Sequence, residues 1–214
     1  MIFGGINLAT IIANIFVLII AFSFHEFSHA WVANYFGDPT PRSYGRLTLN
    51  PLVHLDVMGS LLLLVAGFGW AKPVPINPYV LERRNKAAPM LVALAGPLSN
   101  LLLAVIASIP FQLGLATPVF PSGQIPTLDM ILTQFVFINL VLMLFNLIPI
   151  APLDGDKVLD YFLPYEWSRR LDIIRPYGPI ILLGMIFLGP YIGLNLLNVV
   201  LGPPLQSLFT LLVG

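Results

Sequence analysis

The five residues from His25 to His29 read His-Glu-Phe-Ser-His. Two imidazoles four residues apart lie on the same face of a helix, and the carboxylate of Glu26 follows the first of them. Both rings can bind a single Zn²⁺ ion, whose distance to an imidazole nitrogen is about 2.0–2.1 Å. Glu26 can accept a proton from a water molecule as a general base. The chemistry predicted by this spacing is metal-dependent hydrolysis.

These residues lie within an apolar segment, residues 7–36, that is long enough to cross a lipid bilayer. A charged side chain at the bilayer centre costs roughly 2.5–3.5 kcal/mol on the insertion scale, so ionisable residues at that depth usually belong to a functional site. The alternative is a pair of histidines that hydrogen-bond between helices beside a buried glutamate. The cost of burying several ionisable groups within one pentapeptide favours the metal site.

A catalytic zinc ion usually has three protein ligands and one open position, so a third ligand must come from another part of the chain. The chain has no cysteine, which leaves histidine and carboxylate as ligands and excludes disulfides, iron–sulfur clusters and thiolate zinc sites. The only other histidine is His54. The carboxylate candidates are Asp38, Asp56, Glu82, Asp129, Asp154, Asp156, Asp160, Glu166 and Asp172.

Asp154 differs from the other carboxylates because it directly follows an apolar segment, in the sequence Asn-Leu-Ile-Pro-Ile-Ala-Pro-Leu-Asp-Gly. Pro149 and Pro152 end regular helix there, and Gly155 permits a tight turn. A helix C-terminus with polar capping residues is an equally good interpretation of this pattern. The residues alone leave both interpretations open.

The composition predicts an integral, multi-pass membrane protein. Of the 214 residues, 57% are hydrophobic and only 9% are charged, and the mean hydropathy is +0.89. Runs of about twenty apolar residues are typical of transmembrane helices. The net charge is zero, and no basic patch supports nucleic-acid binding.

Four apolar segments are long enough to contain spans, and the first lacks the basic residues of a signal peptide, so we expect it to be retained. It ends at Gly37-Asp38-Pro39, a strong helix stop. The last segment can hold two crossings, with a break at Gly189-Pro190 or at Gly202-Pro203-Pro204. The four segments are residues 7–36, 87–115, 128–150 and 177–214.

The short apolar stretch 57–70 is predicted to re-enter the membrane without crossing it, because it is too short to span comfortably. All basic residues then lie on one side, as the positive-inside rule requires. We therefore expect the N-terminus outside and the basic loops in the cytoplasm. The alternating small, Pro and branched residues of 67–76 favour an edge strand, to which an extended peptide could add. The basic residues are Arg42, Arg46, Lys72, Arg83, Arg84, Lys86, Lys157, Arg169, Arg170 and Arg175.

The chain resembles the site-2 protease family, intramembrane zinc metalloproteases that cut transmembrane or membrane-proximal segments of other proteins. The likeness is greatest to its short prokaryotic branch without accessory domains. The resemblance implies that His25, His29 and Asp154 bind zinc and that Glu26 activates water. It also implies a three-helix core with a re-entrant β-like loop after the first helix. The matching motifs are His25–His29, Asn50–Asp56, Gly69–Pro75, Ala95–Asn100 and Asn146–Gly155.

Four further polar residues could serve either the chemistry or the packing of the protein. Asn146 could hydrogen-bond to the substrate or to the developing oxyanion, or it could bridge two helices. His54 could stabilise the transition state or relay a proton, but capping or fixing its loop is the favoured interpretation. Asp56 is expected to hold the same loop by hydrogen bonding. Asn100 is expected to serve helix packing, because Ala95, Gly96 and Ser99 form a small-residue face around it.

The sequence thus predicts an all-α polytopic membrane protein with a three-helix catalytic core, one or two C-terminal helices and a short re-entrant β-like loop. Residues 1–214 form a single metalloprotease domain, with the core at about 7–160 and the C-terminal helices at about 177–214. The predicted activity is zinc-dependent endopeptidase, with one Zn²⁺ per chain. The predicted partners are the bilayer of the cell membrane and a membrane-protein substrate with a transmembrane segment. The alternatives are a zinc or proton transporter and a non-catalytic homologue that binds membrane segments.

Overall fold

The computed structural model describes residues 8–56, 58–59, 69–119, 125–193 and 195–214. It contains five helical segments that are long and apolar enough to cross a membrane. The prediction of an all-α, multi-pass membrane protein is therefore confirmed. The five segments are Leu8–Tyr35, Ala88–Gln112, Leu128–Asn146, Tyr165–Leu188 and Leu196–Val213.

The described α-helices are numbered here in chain order. They are α1 (Leu8–Tyr35), α2 (Thr40–Ser43), α3 (Pro51–His54), α4 (Pro78–Arg84), α5 (Ala88–Gln112), α6 (Leu128–Asn146), α7 (Asp154–Phe162), α8 (Tyr165–Ile174), α9 (Gly178–Leu183) and α10 (Leu196–Val213). Between α8 and α9 lies a short 3₁₀ turn, Arg175–Tyr177, and α9 continues into a π-helical turn, Gly184–Leu188.

Helices α1, α5 and α6 pack against one another and form the predicted three-helix core. Small residues let the helix backbones approach closely, as is usual between transmembrane helices. On α1 they include the fully buried Ala13 and Ala21, and on α5 the buried Gly96 and Ala104. Helix α5 lies at the centre, because it also contacts α4, α7 and α10.

The first helix ends where the sequence predicts it. Gly37 adopts a left-handed backbone with φ of 87°, as glycine does beyond helix C-termini. Asp38 is fully buried, and its carboxylate accepts hydrogen bonds from the backbone N–H groups of Thr40 and Asn77. This carboxylate therefore holds the chain after α1 against the segment that leads into α4.

Helix α6 ends at Asn146, four residues before the predicted limit of its apolar segment. Pro149 and Pro152 interrupt regular helix, and turns connect α6 to α7. Gly155 lies close beneath this connection, since a Cβ atom there would be 2.3 Å from the Leu147 carbonyl oxygen. The absence of a side chain at Gly155 lets α7 begin directly against the end of α6.

The edge strand predicted at 67–76 is not formed in the described part of that segment. Residues 69–77 contain only one isolated antiparallel bridge, between Leu55 and Ala71. A ladder cannot extend from this bridge because Pro73 and Pro75 have no backbone N–H. Residues 57 and 60–68 lie outside the described residues, so the re-entrant path of 57–70 stays a prediction.

The C-terminal segment breaks at one of the two alternative positions that the sequence left open. A 3₁₀ turn, Gly189–Ile192, separates the fourth span from α10, so the break lies at Gly189-Pro190. The helix continues through the other position, Gly202-Pro203-Pro204, because both prolines lie inside α10. Proline is tolerated within transmembrane helices more readily than in soluble ones. The fourth span also begins earlier than residue 177, since the charged helix α8 leads into it.

Candidate metal centre

Three side chains that could bind a metal ion converge where α7 begins beside α1. His25 and His29 lie one turn apart on α1, and Asp154 is the first residue of α7. The Oδ2 atom of Asp154 is 3.2 Å from His25 Nε2 and 3.4 Å from His29 Nε2. One ligand atom from each residue lies within 4.8 Å of the others.

Each histidine is oriented by a partner at its other ring nitrogen. The Nδ1 atom of His25 lies 2.7 Å from the Oδ1 atom of Asn100, and the Nδ1 atom of His29 lies 2.6 Å from the carbonyl oxygen of Val92. Outer partners of this kind fix the tautomer and the ring orientation of metal-binding histidines. Both Nε2 atoms therefore point towards Asp154.

Helix α5 supplies both partners from one face. Val92, Gly96 and Asn100 follow one another at intervals of one helical turn. Val92 pairs with His29 and Asn100 with His25, in reverse order along the chain, because α1 and α5 are antiparallel. Gly96 lies between the two partners, where a Cβ atom would be 2.4 Å from His29 Nε2 and 2.6 Å from His25 Nε2. Only glycine leaves room for the imidazoles at this position.

The donor set suits a zinc ion. Asp154 Oδ2 is buried and has no hydrogen-bond partner among the described residues, although a buried carboxylate oxygen is costly to leave unpaired. Two imidazole nitrogens and one carboxylate oxygen form a common ligand set of catalytic zinc sites. A cation held by these three atoms would give Asp154 Oδ2 the partner that it lacks.

Glu26 lies beside this cluster and is mostly buried, with 8% of its surface exposed. Its Oε2 atom accepts a hydrogen bond of 3.2 Å from the backbone N–H of Val74. Arg46 holds the segment that contains Val74, because its guanidinium donates to the carbonyl oxygens of Val53 and Lys72. The segment after the first helix thereby positions the carboxylate of Glu26.

A cavity of about 890 Å³ opens in front of the metal centre. His25, Glu26, His29 and Asp154 line it, together with residues of the 69–76 segment. Leu182 and Leu183 of α9 contribute apolar surface to the lining. Further charged residues also line this cavity. These charged residues are Glu82, Lys86, Lys157 and Asp160.

Asp160 belongs both to the cavity lining and to an ion-pair cluster that joins α7 to α8. Burial would raise the pKa of its carboxyl, but the hydrogen bond from Ser168 and the guanidinium of Arg175 outweigh burial and hold the pKa below its usual value. Arg175 also pairs with Asp156 and Asp172. This cluster ties the helix that begins with Asp154 to the fourth span.

The other predicted site residues occupy different positions. Asn146 lines the cavity, and its side-chain amide donates to the Leu142 carbonyl of its own helix. His54 is fully buried, is not among the described residues that line the cavity, and contacts the Thr48 carbonyl oxygen through Nε2 at 2.7 Å. Asp56 accepts a hydrogen bond from the Gly59 N–H, as expected for a loop-fixing residue.

Asn100 belongs to the candidate site, which the sequence prediction missed. It is fully buried and hydrogen-bonds to His25, a candidate metal ligand, whereas helix packing was the favoured interpretation of it. A signal for this contact exists in the sequence. Val92, Gly96 and Asn100 repeat the four-residue spacing of His25 and His29, which two antiparallel helices would bring face to face.

Comparison with known proteins finds relatives over most of the chain. A Bacillus subtilis protein is 41% identical over 187 residues, which cover 86% of this chain and 85% of the relative. A Mycolicibacterium smegmatis protein is 33% identical over 191 residues, with 81% and 68% covered. A Methanocaldococcus jannaschii protein is 33% identical over 150 residues, with 69% and 68% covered. Their names are "Putative zinc metalloprotease" YwhC, Rip2 and MJ0611, respectively. No family model matches the chain, and no solved structure gives a significant match.

Proposed function

Because the chain belongs to the site-2 protease family of zinc metalloproteases, we propose that it is an intramembrane endopeptidase that cleaves in or near transmembrane segments of other proteins. The observation that carries the proposal is the meeting of His25, His29 and Asp154 beside Glu26 at one cavity. Two of these residues lie within the first membrane span. A metal centre at that depth has a function other than holding the helices together.

His25, His29 and Asp154 would hold one Zn²⁺ ion per chain. When bound, zinc lowers the pKa of water towards about 7 and polarises a carbonyl group. Glu26 accepts the proton of the attacking water as general base and returns it to the leaving amine. The hydrogen bond from Val74 to one carboxylate oxygen of Glu26 holds the side chain towards the cavity.

The proposed site lies on the cytoplasmic side of the membrane centre. His25 is ten residues before the end of α1 at Tyr35, which corresponds to about 15 Å along the helix axis. The basic residues follow the C-terminal end of α1, precede the N-terminal end of α5 or lie beyond α6. By the positive-inside rule these ends face the cytoplasm of the cell, and the N-terminus lies outside.

The substrate we propose is a transmembrane segment that has locally unwound. Backbone N–H groups in an intact helix are already hydrogen-bonded, and the scissile bond is sterically covered, so cleavage requires an extended stretch. The 69–76 segment borders the cavity, but its prolines and the bond from Val74 to Glu26 leave it few N–H groups for strand addition. We therefore expect the unwound peptide to accept few main-chain bonds there and to depend on apolar contacts.

The decisive experiment compares the wild-type protein with Glu26→Gln, purified in detergent, on a membrane-protein substrate. Loss of cleavage with full retention of zinc supports the proposed base, because glutamine preserves shape but cannot take the proton. Full cleavage by Glu26→Gln would contradict it. Zinc or proton flux into liposomes without any cleavage would favour the transporter. Retained binding of membrane segments by a wild-type protein that never cleaves would favour the non-catalytic homologue.

A further inference from the structure

The tautomer of a neutral His25 decides which of its ring nitrogens is free to bind a metal ion. A neutral imidazole carries its proton on one of its two nitrogens, and the other nitrogen accepts. Nε2 is the nitrogen that lies 3.2 Å from Asp154 Oδ2. Nε2 must therefore be unprotonated for metal binding, and the proton must reside on Nδ1. A proton on Nδ1 requires an acceptor, and the amide of Asn100 lies 2.7 Å away.

An asparagine amide can present either its oxygen or its NH₂ group, so its orientation determines the histidine tautomer. If the NH₂ group of Asn100 faced His25, Nδ1 would have to accept, and the proton would be on Nε2. If the oxygen faces His25, Nδ1 donates and Nε2 is free. The surrounding hydrogen-bond network must decide.

Two backbone carbonyl groups fix the orientation of the Asn100 amide, because a carbonyl oxygen can only accept a hydrogen bond. Asn100 Nδ2 donates to the Ala21 carbonyl at 3.3 Å and to Asn139 Oδ1 at 2.9 Å. Asn139 Nδ2 in turn donates to the Phe135 carbonyl at 2.8 Å, which fixes the direction of the Asn139 amide. The oxygen of Asn100 is therefore the end that faces His25.

We infer that Asn100 is a positioning residue that holds His25 in its metal-binding tautomer, and that Asn139 fixes the orientation of Asn100. This inference rests on the proposed zinc peptidase function. His25, Asn100 and Asn139 belong to α1, α5 and α6, and both asparagines are fully buried, so water does not compete for their bonds. The three core helices thus meet in one network directly behind the metal centre.

His29 differs from His25 in the kind of group that holds its Nδ1 atom. Its Nδ1 atom bonds to the Val92 carbonyl, a backbone group that no side-chain substitution removes. The orientation of His29 is consequently independent of side-chain amides, whereas the orientation of His25 depends on two of them. Substitutions that remove the acceptor at Asn100 should weaken metal binding through His25 alone.

The test measures the zinc dissociation constant by competition with a chelator, using the full-length protein in detergent. Asn100→Leu keeps the branched shape of the side chain but removes the acceptor, and it should weaken zinc binding about 10–100-fold, the usual effect of losing an outer partner. In Asn139→Leu the Ala21 carbonyl still accepts a hydrogen bond from the Asn100 amide and keeps part of its orientation. Zinc affinity should therefore fall by only about tenfold, at the lower end of that range. Asn100→Asp keeps an acceptor towards His25 and should bind zinc nearly as tightly as the wild type, although its buried charge lowers thermal stability.

Ser108→Ala is the matched control, because Ser108 is buried on the same helix and its hydroxyl donates to the Val105 carbonyl of that helix. It should bind zinc like the wild type. Unchanged affinity in Asn100→Leu, or equal losses in Asn100→Asp and Asn100→Leu, would overturn the inference. If Asn100→Leu does not fold, the affinity of Asn139→Leu decides, and an unchanged value overturns it. A wild-type protein without zinc would instead refute the proposed function itself.

Discussion

The prediction that tests the packing of the metal centre most sharply is Gly96→Ala. A methyl group at residue 96 would lie 2.4 Å from His29 Nε2 and 2.6 Å from His25 Nε2. Ordinary contacts between such atoms are at least about 3.5 Å, so α1 and α5 must separate or the rings must move by about 1 Å. The rings cannot rotate away freely, because their Nδ1 atoms are held by Asn100 and Val92.

The size of the effect of Gly96→Ala follows from the steric overlap of the new methyl group with the two imidazoles. An extra methyl group in a well-packed interior costs about 1–3 kcal/mol. If that cost falls on the metal-binding geometry, zinc affinity drops by roughly 5- to 150-fold. In an ordinary helix the same change would stabilise the protein by about 0.5–1 kcal/mol, because alanine loses less backbone entropy than glycine. The sign of the effect therefore distinguishes the site from a generic helical glycine.

The assay is chelator competition for zinc, with thermal unfolding measured in parallel. Gly184→Ala is the matched control, since Gly184 is also helical and a Cβ atom there would meet nothing within 4 Å. Gly96→Ala should bind zinc more weakly and Gly184→Ala should bind it normally. Wild-type zinc affinity in Gly96→Ala would show that α5 does not lie against the two imidazoles as described.

Three other predictions concern the remaining parts of the site. Asp154→Ala should lose tightly bound zinc in elemental analysis, whereas Asp129→Asn should retain it, because the Asp129 carboxylate bonds to Thr117 in another region. His54→Phe removes the ring nitrogen that bonds to the Thr48 carbonyl, so it should lower the free energy of unfolding by about 1 kcal/mol and leave zinc bound. Loss of zinc or of cleavage in a folded variant would assign His54 to the site. The pKa of Asp160 in the folded protein is lower than the usual carboxyl pKa of 3.8, so its contact with Ser168 stabilises the protein fully above pH 3.8. That stabilisation is lost as the pH falls through the lowered pKa of the folded state. Ser168→Ala should therefore make the melting temperature less sensitive to acid in this pH range.

The spans could be predicted from the sequence because hydropathy and helix stops are local properties. The end of α1 shortly before Gly37 and the break at Gly189-Pro190 follow from glycine and proline chemistry. The same chemistry could not exclude a break at Pro203, where the helix in fact continues, since transmembrane helices tolerate proline where neighbouring groups compensate. For the strand predicted at 67–76, which is not formed in its described part, the effect of proline was underestimated. Its prolines, treated as features of an edge strand, also prevent ladder formation.

The metal centre could be predicted only in part from the sequence. The pair His25 and His29 is local to one helix, and its spacing alone identifies it. Asp154 comes from a distant segment, and only the resemblance to a family selected it from nine carboxylates. Asn100 was missed because a polar residue among small ones is typical of helix packing. Its contact with His25 depends on the register of α1 against α5, which tertiary packing sets.

The central claim is that His25, His29 and Asp154 bind one zinc ion between the first span and α7. Zinc-edge X-ray absorption on Glu26→Gln, combined with elemental analysis, measures this directly. The account predicts one zinc per chain, bound by two imidazoles and by oxygen at about 2.0–2.2 Å. Absence of tightly held zinc, or a spectrum with fewer than two imidazole ligands, would contradict it.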